Sequence, residues 1–184
     1  FSHATLKAHL VLAISFAGMA IYNIYGKKNV VPPVFTEGVY ATAISLLCFE
    51  GALLSDGSPG QEVTLISAFL GLQLLLVNGV AGHLKNLDTD RAAGGYTLPG
   101  GLGVKSTNGT VESTNAFRAY GMVIQLCAVG LLAIFVYKSS HLAASWKQVV
   151  LWSLFSILTT AILGDTLHML WESRLAKLQN PIQA

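Results

Sequence analysis

Asp88 and Asp90 stand two residues apart in the segment KNLDTDRAAGGYTLPGGLG, residues 85–103, with Lys85 before them and Arg91 directly after. Carboxylates at that spacing can supply oxygen ligands to one hard cation. Mg2+ is held in this way, by one or two carboxylates completed with substrate phosphates and water. Lys85 and Arg91 can then pair with phosphate oxygens, the arginine bidentately. Asn86 offers a carbonyl oxygen, a weaker ligand than a carboxylate. Gly94, Gly95, Gly100, Gly101 and Gly103 let the backbone turn sharply and approach an anion. Residue types alone favour a solvated loop between two helices over a metal and phosphate site, so the surrounding elements have to decide.

Those elements are apolar. The chain has 184 residues, of which 53% are hydrophobic and 11% charged, against about 25% charged in a soluble domain. Mean hydropathy is +0.58, the composition of a membrane protein. A net charge of +2 with no basic cluster argues against nucleic acid as a partner. Cys48 and Cys127 lie inside apolar runs without CxxC spacing and read as packing thiols.

A bilayer crossing takes about 20 residues. Five stretches qualify, at about 8–26, 39–54, 63–84, 119–137 and 148–171, within a single transmembrane domain, 1–184. All are expected to be helices, because an open strand edge in lipid leaves backbone groups unsatisfied. The expected fold is an all-α polytopic bundle, and the polar segment 85–118 joins its third and fourth spans. GKKNVVPPVFTEG forms the first connection, stiffened by Pro32 and Pro33, and SDGSPGQE carries turn signals in the second. One face of a five-span bundle holds eight lysines and arginines (Lys27, Lys28, Lys85, Arg91, Lys105, Arg118, Arg174, Lys177) and the other holds three (Lys7, Lys138, Lys147). That asymmetry predicts a cytoplasmic or equivalent face for the central loop. It puts Tyr22, Tyr25, Lys27 and Lys28 on the same face as Asp88 and Asp90, and it leaves the Asn108-Gly109-Thr110 sequon unglycosylated.

Other polar residues carry weaker signals. GGLGVKST, residues 100–107, resembles a phosphate-binding loop but has Val104 where glycine must precede the lysine. Glu50 lies within an apolar span but near its end, within reach of the interface. His83 at the base of the loop reads as a polar interface residue. Asp165 and His168, one helical turn apart, read as a capping or packing pair.

The central motif resembles a known family. Lys85-Asn86-Leu87-Asp88-Thr89-Asp90-Arg91-Ala92-Ala93-Gly94, followed by Thr97-Leu98-Pro99 and Leu102-Gly103, is similar to the second aspartate-rich motif of the UbiA superfamily of intramembrane prenyltransferases. Upstream, Tyr22-Asn23-Ile24-Tyr25-Gly26-Lys27-Lys28 resembles the family's tyrosine-plus-lysine element, and the chain as a whole resembles the fourth helix onward of a nine-helix bundle. Asn86 stands where the family usually has its first aspartate, and the family's other motif, N-D-x-x-D, does not occur in the 184 residues.

The resemblance implies transfer of an isoprenyl group from a prenyl diphosphate to an aromatic or lipid acceptor, with Mg2+ as cofactor. It implies Asp88 and Asp90 as metal ligands, Lys85, Arg91, Lys27 and Asn86 as diphosphate contacts, and Tyr22 as the residue that stabilises the cation or positions the acceptor. With only the second motif in this chain, the missing ligands are expected from the N-terminal half of the enzyme or from another membrane subunit. The alternative is a non-catalytic UbiA-like subunit of a larger complex that holds a quinone, pigment or lipid tail.

Overall fold

The computed structural model describes residues 3–26, 31–56, 59–107 and 110–140, together with Leu154, Ile157, Ala161 and Gly164. Four helical stretches in it are long and apolar enough to cross a membrane: Thr5–Tyr25, Pro33–Ser55, Gln61–Lys85 and Asn115–Lys138. The protein is an all-α, membrane-embedded bundle, as its composition predicts. The expected fifth span, 148–171, lies outside the described residues except for Leu154, Ile157, Ala161 and Gly164, which are helical and exposed.

Helix α1 covers His3–Tyr25 and α2 covers Pro33–Asp56. Pro33 is the first residue of α2, a position where its fixed φ suits the helix and its missing N–H costs nothing. The helix therefore begins six residues before the first apolar residue of the predicted span, and Thr36 and Glu37 are helical rather than part of a connection. Helix α3 (Gln61–Leu74) runs without a break into a π-helix, Leu75–Gly82, and then into the short α4 (His83–Lys85). After the loop helices α5 (Leu87–Ala92) and α6 (Leu98–Gly101), strands β1 (Lys105–Thr107) and β2 (Thr110–Glu112) pair antiparallel, and α7 spans Asn115–Ser140.

The long helices pack in chain order: α1 on α2, α2 on α3, and α3 on α7. In lipid no hydrophobic effect drives helices together, so close approach through small residues has to do it. A Cβ added at Gly18 of α1 would lie 2.8 Å from the Ala43 Cβ of α2, and one at Gly71 of α3 would strike Ser45 Oγ. Ser45 turns that hydroxyl back to donate to the Ala41 carbonyl at 2.7 Å. Between α3 and α7 the contact is apolar, with Phe69, Ala128, Leu132 and Phe135 forming one buried cluster. A second cluster joins Leu76, Val80 and Leu84 to Phe117 and Ile124, and it also takes in Leu87, Val104 and Val111 from the loop segment. The segment that reads as a loop is thus packed into the bundle.

Candidate functional site

Two helix terminations shape the 85–103 segment. Helix α5 ends with Gly94 at φ +73°, where Gly95 N–H donates to the Asp90 carbonyl at 2.7 Å and Gly94 N–H to that of Arg91 at 3.0 Å. This is the pattern of a Schellman cap. Helix α6 ends in the same way, with Gly103 at φ +81°, Val104 N–H on the Pro99 carbonyl and Gly103 N–H on that of Gly100. A Cβ at Gly95 would lie 2.8 Å from the Asp90 carbonyl oxygen, so that position admits only glycine without a shift. Gly94, Gly95 and Gly103 therefore serve helix capping. The loop folds back as α6, which packs against α2, α4 and the π-helix.

Helix α5 separates the two predicted ligands, since residues two apart on a helix do not face each other. Asp90 turns into the protein and is 8% exposed. Asp88 is half-buried, and its Oδ2 accepts a hydrogen bond from Ser106 Oγ of β1 at 2.9 Å. Asn86 lies four residues before Asp90, one turn away on the same side, and its carbonyl accepts the Asp90 N–H at 2.8 Å. Lys85, Asn86 and Arg91 are exposed. Lys27 and Lys28 lie outside the described residues, as do Asp165 and His168. Lys105 of the GGLGVKST stretch opens a strand rather than a helix, so the phosphate-binding-loop topology is absent there.

Tyr22 belongs to a buried polar cluster beneath this cap, and the sequence reading passes over that cluster's centre. Glu37 of α2, with a side chain 1% exposed, meets His83 Nε2 through Oε1 at 3.3 Å. Its other oxygen, Oε2, accepts from Asn78 Nδ2 at 2.8 Å. The same Asn78 amide donates to the Tyr22 hydroxyl, also at 2.8 Å. Tyr22 stacks on Tyr40 with ring centroids 4.6 Å apart, and Tyr120 of α7 lies within electrostatic range of Glu37.

The π-helix is what makes this cluster possible. His83 N–H donates to the Asn78 carbonyl, the five-residue step of a π-turn, and so stacks the two residues on one face. In an α-helix residues five apart fall on different faces. Gly79 keeps the face thin, because a Cβ there would lie 3.2 Å from Leu98 Cδ2 and 3.7 Å from Glu37 Cγ. The missed signal was available in the sequence: Glu37 lies within an apolar stretch that runs on from Val34, and an ionisable residue inside a membrane helix marks function by default, with its partner to be sought.

An apolar groove of about 580 Å³ runs between α1 and α2, lined by Ile14, Gly18, Ile21, Val34, Phe35 and Leu46 among others. A second, of about 340 Å³, lies between α2 and α3 beside Ser45, Phe49 and Gly71. Fold and site together define a helical membrane bundle whose one end is capped by a polar, carboxylate-bearing loop. Compared with protein-family models, curated proteins and solved structures, the chain matches none.

The donors of the loop fit a hard cation in kind. Asp90, Asp88 and the Asn86 side chain offer oxygens only, and Mg2+ takes one or two carboxylates and leaves its other positions to phosphate and water. Among the described residues no three His, Cys, Asp or Glu side chains converge, so the remaining ligands have to come from the substrate, solvent or another segment.

Proposed function

We propose that this chain is a UbiA-like prenyltransferase, or its C-terminal part, which transfers an isoprenyl group from a prenyl diphosphate to an aromatic or lipid acceptor. The observation that supports it most is the folded-back loop. Its buried Asp90 and its exposed Lys85 and Arg91 sit on a segment packed into the bundle, with Tyr22 in the polar cluster at its base.

Asp90 would hold Mg2+, with Asn86 as an auxiliary oxygen, and Asp88, which faces Ser106 on another side of α5, would hold an ion of its own rather than share that one. The ion, when bound, neutralises charge on the diphosphate. Lys85, Arg91 and Lys27 bind the diphosphate oxygens, and preorganised donors of this kind stabilise the leaving group as its charge develops. The bond between the allylic C1 and its oxygen breaks, the diphosphate departs with the electron pair, the acceptor bonds to C1, and the acceptor's proton is lost. Tyr22 holds the cationic carbon or the acceptor ring. The grooves between α1, α2 and α3 accommodate the isoprenoid tail. The opposing acidic motif comes from the N-terminal half of the enzyme or another subunit. The loop faces the cytoplasm or its equivalent, on the eight-to-three distribution of basic residues.

In membranes carrying the complete protein, Asp90→Ala should abolish prenyl transfer. Unchanged turnover would exclude the assignment.

A second reading is favoured by the divergence of Asp88 and Asp90 around α5 and by the apolar grooves. In it the chain is a non-catalytic subunit holding a quinone, pigment or lipid tail. Stoichiometric membrane partners, without magnesium-dependent diphosphate release, would decide for it.

A further inference from the structure

Both ends of the 85–103 segment converge on one buried carboxylate. At the entry, His83 opens α4 and meets Glu37 Oε1 at 3.3 Å, and the next residues are Leu84, Lys85 and Asn86. At the return, Leu98 opens α6 and packs over Gly79, where an added Cβ would lie 3.2 Å from Leu98 Cδ2 and 3.7 Å from Glu37 Cγ. Asn78 ties the same carboxylate to Tyr22 of α1. Glu37 is thus the point at which α1, α2, the π-helix and the loop entry are joined, and it lies outside every motif that carries the functional reading.

We infer that Glu37 is a positioning residue for the 85–103 loop, which acts through His83 and Asn78 to hold that segment closed over the bundle end. A buried polar side chain in a helix bundle needs partners, and Asn78 and His83 are the groups that meet Glu37. The Asn78 hydrogen bond is directional and fixes one arrangement, the His83 contact adds an electrostatic tie at 3.3 Å, and the Leu98 and Leu87 contacts around them tolerate sliding. The consequence for catalysis rests on the transferase reading above, because it is the diphosphate contacts Lys85 and Arg91 that the latch would keep in register. The closure itself does not depend on that reading.

The test uses the full chain in lipid nanodiscs, with Cys48→Ser and Cys127→Ser, and spin labels on Cys introduced at Thr89 and Leu54, both exposed. Electron–electron distance measurements should give one narrow distribution. Glu37→Ala and His83→Ala should each broaden it and add longer distances, with helix content by circular dichroism unchanged. The double variant should be no broader than Glu37→Ala alone, because the contact that His83→Ala removes is already lost in Glu37→Ala. The exchange Glu37→His with His83→Glu should restore most of the narrow population. If Glu37→Ala fails to fold, Glu37→Gln, which keeps the side chain's length and its acceptor for Asn78, replaces it with the same expectation.

Magnesium-dependent binding of inorganic diphosphate is measured on the same samples and should weaken at least tenfold in the broadened variants. A distribution unchanged in both single variants, or broadening that adds in the double, overturns the latch. A broadened distribution upholds the latch whatever the diphosphate result, and the absence of magnesium-dependent diphosphate binding by the complete protein, with the opposing acidic motif present, overturns the transferase reading.

Discussion

The Glu37 carboxylate and the His83 imidazole meet at 3.3 Å with side chains 1% and 4% exposed, joining the second helix of the bundle to the root of its polar loop. Removing one partner of a buried polar contact leaves the other unpaired, at about 1–3 kcal/mol, while replacing both with apolar groups is often neutral. Glu37→Leu and His83→Phe should each lower the unfolding midpoint in detergent by several degrees. The double variant should recover most of that loss, and a double variant as unstable as the sum of the singles would show that the two groups are not coupled.

Gly94 and Gly95 end α5 for different reasons, and their substitutions should differ. Gly94→Ala places a Cβ on a backbone at φ +73° with open space around it, costing about 1 kcal/mol. Gly95→Ala pushes a Cβ to 2.8 Å from the Asp90 carbonyl and should displace Asp90 itself. Limited proteolysis between 85 and 103 should accelerate modestly for the first and strongly for the second. Equal effects would mean that the close approach to Asp90 is unimportant.

Ser106→Ala removes the hydrogen bond that holds Asp88 Oδ2 to the hairpin. Hydrogen bonds to charged groups contribute about 1.5–3 kcal/mol, and this one, half-buried, belongs at or below the lower end. Hydrogen exchange in the 105–112 hairpin should speed up several-fold while α3 and α7 are unaffected. Unchanged exchange would show that the hairpin is held by Val104 and Val111 alone.

Gln125 lies 1% exposed next to Ile124 on α7, and neither amide atom has a hydrogen-bond partner among the described residues. An unsatisfied buried amide costs about 1–3 kcal/mol, so Gln125→Leu should raise the unfolding midpoint. A lower midpoint would mean that this amide pairs with a group beyond those described.

Much of this was legible in the sequence, and the parts that were not share a cause. Runs with few or no charges mark the four spans because lipid admits few charges, and the double-glycine endings of the loop helices stand out as turn residues. Glu37 was hidden because GKKNVVPPVFTEG reads as a proline-stiffened connection, although Pro33 is a good first residue for a helix that then contains Glu37. Asn78 and His83 were hidden because α-helical periodicity sets residues five apart on different faces, and only the π-turn brings them together. Asn108-Gly109 was read as part of a sequon, yet the same dipeptide is a hairpin signal, and the strands on either side, Lys105–Thr107 and Thr110–Glu112, pair antiparallel. The pairing of Asp88 with Asp90 assumed an extended loop, and a six-residue helix turns them apart.

The central claim is that the capped end of this bundle grips a diphosphate through Asp90 and a divalent ion. Its most direct measurement is the binding of an allylic thiodiphosphate to the complete protein in nanodiscs, with and without Mg2+, for wild type and Asp90→Asn. Saturable binding that requires Mg2+ and weakens at least tenfold in Asp90→Asn is the predicted result. Binding that is indifferent to both Mg2+ and Asp90 would contradict the account.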